Sequence, residues 1–317
     1  MISAQLKGRD FLRVNDWDAD ELISVLDLAD RLKARQRERV EHRHLEGRSL
    51  GMIFQKPSTR TRVSFEVGMF QLGGTALYLA AGDLQLGRGE TIEDTGTVLS
   101  RYLDGIMIRT FAQTDVDALA AAADIPVING LTDDFHPCQA LADVMTIRER
   151  LGGFDGVRVA YLGDGNNVCH SLMVACAKLG MDFVAATPEG YEPSDEVVGW
   201  ARAAANVSGR SVELTHDPRA GAEGADVLYT DVWTSMGQDS EREQRLRDLD
   251  GYGITDELVK RAGDGAIVLH CLPAHYGEEI TEDVLYGPQS AVWDQAENRL
   301  HAQKALLELL FFYSSPA

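Results

Sequence analysis

Ser58-Thr59-Arg60-Thr61-Arg62 gathers three hydroxyls and two guanidinium groups in five consecutive residues, directly after Pro57. If the run opens a helix with Ser58 as N-cap, free backbone N–H groups and the positive end of the helix dipole join those side chains. The product is an anion site, for phosphate above all. A capped helix with surface arginines would use the same residues, so the rest of the chain has to decide. His136-Pro137-Cys138-Gln139 sets a His and a Gln three positions apart at a helix start, where both side chains share a face. Arg109 ends the apolar run Ile106-Met107-Ile108, and ligands collect at the carboxyl ends of parallel strands. Taken singly, a Pro at N1 and an exposed arginine account for both.

The second half of the chain offers another set. Val159-Ala160-Tyr161-Leu162 runs into Gly163-Asp164-Gly165-Asn166-Asn167, a strand followed by a glycine turn. The dinucleotide fingerprint is incomplete: Asn-Asn follows G-x-G, and the next strand, Phe183 to Thr187, lacks the acid that would bind ribose. NAD is therefore disfavoured. Asn166 and Asn167 are left to hydrogen-bond a polar substrate or to cap the helix. Asp231-Val232-Trp233-Thr234-Ser235-Met236-Gly237 and His270-Cys271-Leu272-Pro273 each follow an apolar strand and put polar groups at its end. Cys271 is a candidate nucleophile, although a Cys at a strand end is more often packed and inert.

Short apolar runs alternating with helical periods must position these residues, and that alternation predicts an α/β chain with parallel sheets. Asp18 and Glu21 have capping-box spacing ahead of Leu22, Val25, Leu26, Ala29 and Leu32. Strands are expected at Leu50–Phe54, Ala76–Leu79, Ile106–Ile108 and Val127–Ile128. The helix after Ser58 carries Val63, Val67 and Phe70 on one stripe and closes at Gly73-Gly74. His136 to Arg150 reads as a connecting helix. Strands then recur at Val157–Leu162, Phe183–Ala186, Val212–Leu214, Val227–Thr230 and Ile267–His270, and the polar stretch from Gln238 to Asp250 reads as a segment that moves on binding. The expected architecture is α/β, with two doubly wound parallel-sheet domains over residues 1–150 and 151–296. A C-terminal helix, residues 297–317, is too apolar at Leu309-Leu310-Phe311-Phe312 to lie free and should pack back on the first domain.

Composition bounds the function. Over 317 residues, 30 Lys and Arg face 50 Asp and Glu, a formal charge of −20 that argues against binding a nucleic-acid backbone. Only six of the basic residues are Lys. An acidic, lysine-poor surface suits a salty cytoplasm, because at ~1 M salt the Debye length of about 3 Å screens self-repulsion. No stretch approaches the ~18 apolar residues of a membrane span, and the first residues lack a secretory h-region, so a cytoplasmic protein without membrane contact is expected. Cys138, Cys169, Cys176 and Cys271 form no C-x-x-C pair, so neither a disulfide framework nor a zinc site is expected.

In combination the motifs resemble the carbamoyltransferase family, in its ornithine branch, over nearly the whole chain. Phe54 to Glu66 is similar to the carbamoyl-phosphate signature, and His136 to Gln139 with Leu141-Ala142-Asp143 to its second element. Asp231 to Gly237 is similar to the ornithine-selecting loop, and His270 to Pro273 is a hallmark of the same branch. The resemblance implies transfer of a carbamoyl group from carbamoyl phosphate to the side-chain amine of L-ornithine, in arginine metabolism, without metal or organic cofactor. It implies that Ser58, Thr59, Arg60 and Thr61 hold phosphate while Arg109, His136 and Gln139 fix the carbamoyl group. Asn167, Asp231, Ser235 and Met236 would bind ornithine, and Cys271, Leu272 and Arg299 would complete the closed site. Asp83 to Glu90 matches a loop whose Gln, here Gln85, reaches a neighbouring subunit's site, which implies a homotrimer or a multiple of one. Tyr276 stands where many relatives carry Arg.

Overall fold

The computed structural model describes residues 5–234 and 239–311; of Gly87, Arg88 and Asp239 only the backbone is described. Ser235 and Met236 lie outside the described residues. The chain divides into two compact units, one comprising the residues up to Leu141 together with those from Arg299 onward, the other running from Ala142 to Asn298.

In the first unit, β1 (Ser49–Phe54), β2 (Thr75–Ala80), β3 (Gly105–Arg109) and β4 (Val127–Leu131) form a parallel sheet of order β2-β1-β3-β4. The inner strands are almost wholly buried, which is why they read as unbroken apolar runs; the edge strand β2 is partly exposed. Strand order reverses between β1 and β3, and Phe54 is in register with Arg109, so the loops after these two strands open side by side. In the helix Ala19–Arg37 the capping box is complete: Glu21 N–H donates to Asp18 Oδ1 at 2.8 Å, and Asp18 N–H to Glu21 Oε2 at 2.9 Å.

The helix Thr59–Gln71 departs from the expected stripe. Val63 and Phe70 are 50% and 74% exposed, and the buried face is Thr61, Phe65, Gly68 and Met69. Gly68 decides the rotation, because a Cβ there would stand 3.3 Å from Lys304 Cγ on the helix Val292–Phe311. That last helix packs back on the first sheet. Leu306, Leu307, Leu309 and Leu310 are buried, and the Phe311 ring occupies the space a side chain at Gly105 of β3 would need. Lys304, fully buried, donates to Gln36 Oε1 and Gln71 Oε1, each at 2.8 Å.

In the second unit, β5 (Arg158–Leu162), β6 (Asp182–Ala186), β7 (Val212–Thr215), β8 (Val227–Thr230) and β9 (Ile267–His270) form a parallel sheet of order β7-β6-β5-β8-β9. Ala160, Leu162, Val184, Leu228 and Val268 supply one face of its core. The order reverses between β5 and β8, and Thr230 is in register with His270. The Gly163–Asn167, Asp231 and Cys271 segments therefore all leave from neighbouring strand ends. Asp143, on the connecting helix Pro137–Leu151, accepts from Tyr229 Oη at 3.1 Å and from Gln295 Nε2 at 2.7 Å.

Candidate active site

In the first unit Ser58 has extended backbone and its Oγ accepts the Thr61 N–H at 3.2 Å, so it is the N-cap its position predicted. Arg299, 4% exposed, then ties the signature together: Nη1 donates to Gln139 Oε1 at 2.6 Å and Nη2 to Thr61 Oγ1 at 3.0 Å. His136 and Arg109 are buried beside them. Burial, then the charges of Arg299, Arg109 and Arg60, hold the His136 imidazole well below its ordinary pKa. It is therefore neutral. A neutral hydrogen-bonding ring among three guanidinium groups, at the start of a helix, makes a pocket of donors for an anion and a polarised carbonyl.

Neighbouring residues orient this cluster. Thr132 turns the chain before the histidine, with its Oγ1 accepting from Phe135 N–H at 3.0 Å and its own N–H donating to Phe135 O at 2.8 Å. Lys56, buried, pairs with Asp133 and lies 4.3 Å from the Phe111 ring centroid, tying the segment before Ser58 to the segment before His136. Cys138 points elsewhere, with Sγ 3.4 Å from Asn129 O and its thiol pushed up to about 12 by burial. Gln85 is exposed on the short turn Gln85–Arg88.

In the second unit Asp231 is held on both oxygens. Cys271 Sγ–H donates to Oδ1 at 2.8 Å and Asn166 Nδ2 to Oδ2 at 2.9 Å. Asn166 is fixed in turn, its Oδ1 accepting from Tyr161 Oη at 3.0 Å and from the N–H groups of Val168 and Cys169 as N-cap of the helix Asn167–Lys178. Asn167 follows at the first position of that helix, half-buried. The Asn pair thus divides its work, the first residue capping the helix and steering Asp231. Leu272, at φ 59°, donates its N–H to His270 Nδ1 at 2.8 Å. That makes Nδ1 the acceptor and leaves Nε2–H to donate to Glu279 Oε1 at 3.1 Å, with both side chains fully buried.

Sequence reasoning missed Lys56, Asn166 as the residue on Asp231, Tyr161 and Glu279. Asn166 alone had a legible signal, since N-cap preference marks the first Asn after a glycine turn. Among the described residues, two groups bring possible metal-ligand atoms within 4.8 Å of one another, Asp231 with His270 and Cys271, and His275 with Glu278 and Glu279. In the first, the thiol donates to the carboxylate and both imidazole nitrogens are engaged; in the second, Glu278 pairs with Arg242. Either would have to break these bonds to take a cation.

The first parallel-sheet unit thus carries a pocket of donors suited to an anion, and the second a carboxylate held by a thiol and an amide. Comparison with known proteins agrees. Residues 9–149 match the carbamoyl-phosphate-binding domain of the aspartate/ornithine carbamoyltransferases, and residues 155–310 match their Asp/Orn-binding domain. The chain belongs to the aspartate/ornithine carbamoyltransferase family. It is 59% identical over 305 residues to the ornithine carbamoyltransferase of Pyrococcus horikoshii, covering 96% of each chain. A Pyrococcus furiosus relative named as an anabolic ornithine carbamoyltransferase is 58% identical, covering 96% of this chain and 97% of its own. The solved structure of ornithine carbamoyltransferase from Pyrococcus furiosus superposes with a TM-score of 0.94 at 58% identity, covering 96% of this chain and 98% of that one.

Proposed function

We propose that this protein transfers the carbamoyl group of carbamoyl phosphate to the side-chain amine of L-ornithine, giving L-citrulline and phosphate. The observation that carries the reading is the burial of His136, Arg109 and Arg299, with Gln139 and Thr61 both hydrogen-bonded to Arg299. Ser58, Thr59, Arg60 and Thr61 take the phosphate at the helix N-terminus, and Arg109, His136 and Gln139 take the carbamoyl oxygen and nitrogen. The neutral amine attacks the carbonyl carbon; a C–N bond forms and the C–O bond to phosphate breaks. Phosphate leaves with that electron pair and accepts the proton shed by nitrogen. Donors fixed in advance around the carbonyl oxygen lower the barrier by positioning and electrostatics, with no acyl-enzyme.

On the acceptor side Asp231 faces the α-ammonium, with Asn167, Ser235 and Met236 completing the ornithine site and Cys271 with Leu272 placing the side-chain amine. Asp231 disfavours acceptors without a free α-amino group. The test is citrulline formation by purified protein, with putrescine, N-acetylornithine and aspartate as parallel acceptors. Turnover confined to ornithine is the expected result, and turnover with another acceptor overturns the acceptor half.

The same proposal makes the protein a homotrimer, or a multiple of one, with Gln85 supplied to a neighbouring site. Large apolar side chains left exposed on the first unit, Phe70, Tyr102 and Leu77, support burial against another copy. A biosynthetic role in arginine metabolism is supported by the anabolic name of the Pyrococcus furiosus relative. No helix among the described residues is long and apolar enough to cross a membrane. Four free cysteines support a reducing cytoplasm, and the charge of −20 supports a salty one.

A further inference from the structure

Arg245 lies in the helix Arg242–Asp248, inside the polar stretch to which the motifs assign no role. It is 7% exposed, unusual for an arginine on a short, mostly charged helix whose one apolar residue is Leu246. Its Nε donates to the Trp233 carbonyl at 2.6 Å, and its Nη2 pairs with Asp164. The guanidinium carbon sits 5.1 Å from the Tyr191 ring centroid, and Tyr191 Oη donates to Asp248 Oδ2 at 2.9 Å on the same helix. One planar cation therefore grips two loops. Trp233 is two residues beyond Asp231, and Asp164 is two residues before Asn166, the residue that holds Asp231 Oδ2.

These loops leave β5 and β8, the adjacent strands at which the sheet order reverses. Trp233 fills the space over Gly163, where a Cβ would stand 3.1 Å from its Nε1, and Trp233 packs with Leu249 and Tyr252. The fork of Arg245 is thus a further polar link, beside the Asn166–Asp231 bond and the bond from Thr230 Oγ1 to the Leu162 carbonyl, between the turn carrying Asn166 and the backbone carrying Asp231. We infer that Arg245 is a positioning residue for the acceptor amino acid: by holding the Trp233 carbonyl and Asp164 together it sets the place of Asp231. The inference rests on the ornithine reading above. Lysine is a poor replacement, because its single ammonium on a flexible stem lacks the rigid planar fork that reaches the Trp233 carbonyl through Nε and Asp164 through Nη2.

The experiment compares wild type, Arg245→Lys and Asp164→Asn, measuring KM for ornithine and for carbamoyl phosphate, kcat, and the thermal unfolding midpoint. Loss of a charge-assisted bond that orients Asp231 should raise the ornithine KM about tenfold in Arg245→Lys and by roughly half that factor in Asp164→Asn. The carbamoyl-phosphate KM should stay within about twofold, a split that a general loss of fold would not produce. An ornithine KM unchanged in both folded variants, or equal changes for both substrates, overturns the inference. If Arg245→Lys does not fold, Asp164→Asn decides alone by the same criterion. Wild type that turns over carbamoyl phosphate with some acceptor but not ornithine removes the ornithine reading, and this inference falls with it.

Discussion

His136 separates electrostatics from titration within one site. An imidazole whose pKa is held well below 6.5 by burial and three arginines stays neutral throughout the physiological range. It can polarise a carbonyl but cannot be the group whose ionisation shapes the pH profile. The acceptor amine, with a reference pKa of ~10.4, must lose its proton before attacking, so kcat/KM for ornithine should climb from neutral toward alkaline pH. His136→Asn should lower kcat by about 100-fold, the usual effect of removing one donor from an oxyanion site, while the rising limb keeps its position. Steady-state rates from pH 6.5 to 9.5 on both proteins check this, and a limb that vanishes in the variant would reassign it to the imidazole. At this scale the sequence was informative wherever chemistry needs a residue type at a fixed chain spacing, as in Ser58 to Arg62 and His136 to Gln139. It was silent on Lys56, whose partner Asp133 is 77 residues away, and on Tyr161, Glu279 and Arg245, whose partners Asn166, His270 and Trp233 lie only 5, 9 and 12 residues away but at spacings that no helix, strand or cap motif marks.

Elements were legible where one face is buried by its own unit. The capping box at Asp18 and the apolar runs of both sheets signal their structure locally. The helix Thr59–Gln71 was legible in extent but not in rotation, because Gly68, invisible to a hydrophobic pattern, lets Lys304 approach. The C-terminal helix carries the strongest element-level consequences. A Cβ at Gly105 would stand 2.1 Å from Phe311 Cζ, so Gly105→Ala should destabilise the fold by about 1–3 kcal/mol, read as a fall in the thermal midpoint. On the same helix His301 is buried beside Lys304, Lys33 and Arg37, and burial chiefly lowers its pKa to about 3. Between about 3 and 6.5 the unfolded chain binds a proton there that the folded chain refuses, so stability falls as pH drops through that window. Asp164, raised to about 6 mainly by burial, works in the opposite direction between about 6 and 3.8. His301→Asn should therefore make the folded state less acid-sensitive. Urea midpoints at pH 7 and pH 5 test it: the difference between the two should shrink in the variant, and an unchanged difference would show that other groups set the acid limb.

At the scale of the whole molecule two readings of composition and surface meet. A formal charge of −20 repels itself, and salt screens that repulsion. The thermal midpoint should rise between 0.1 M and 1 M potassium chloride; a flat response would mean that the acidic surface is not an adaptation to salt. Assembly is tested more sharply by function than by size. Gln85 is exposed on a short turn, whereas Arg109 is buried at the end of β3, so on the trimeric reading the two belong to complementary halves of a shared site. Gln85→Ala and Arg109→Ala should each be impaired at limiting carbamoyl phosphate. Unfolded together and refolded as a mixture, they should form hybrids in which a Gln85→Ala subunit contributes an intact Arg109 and its neighbour an intact Gln85. With random assembly roughly a quarter of all sites are then complete, so activity should recover to about that fraction of wild type. Summed activities no greater than those of the separate variants, with hybrids verified by mass, would mean that each subunit builds its site alone, and Gln85 would then act within its own chain.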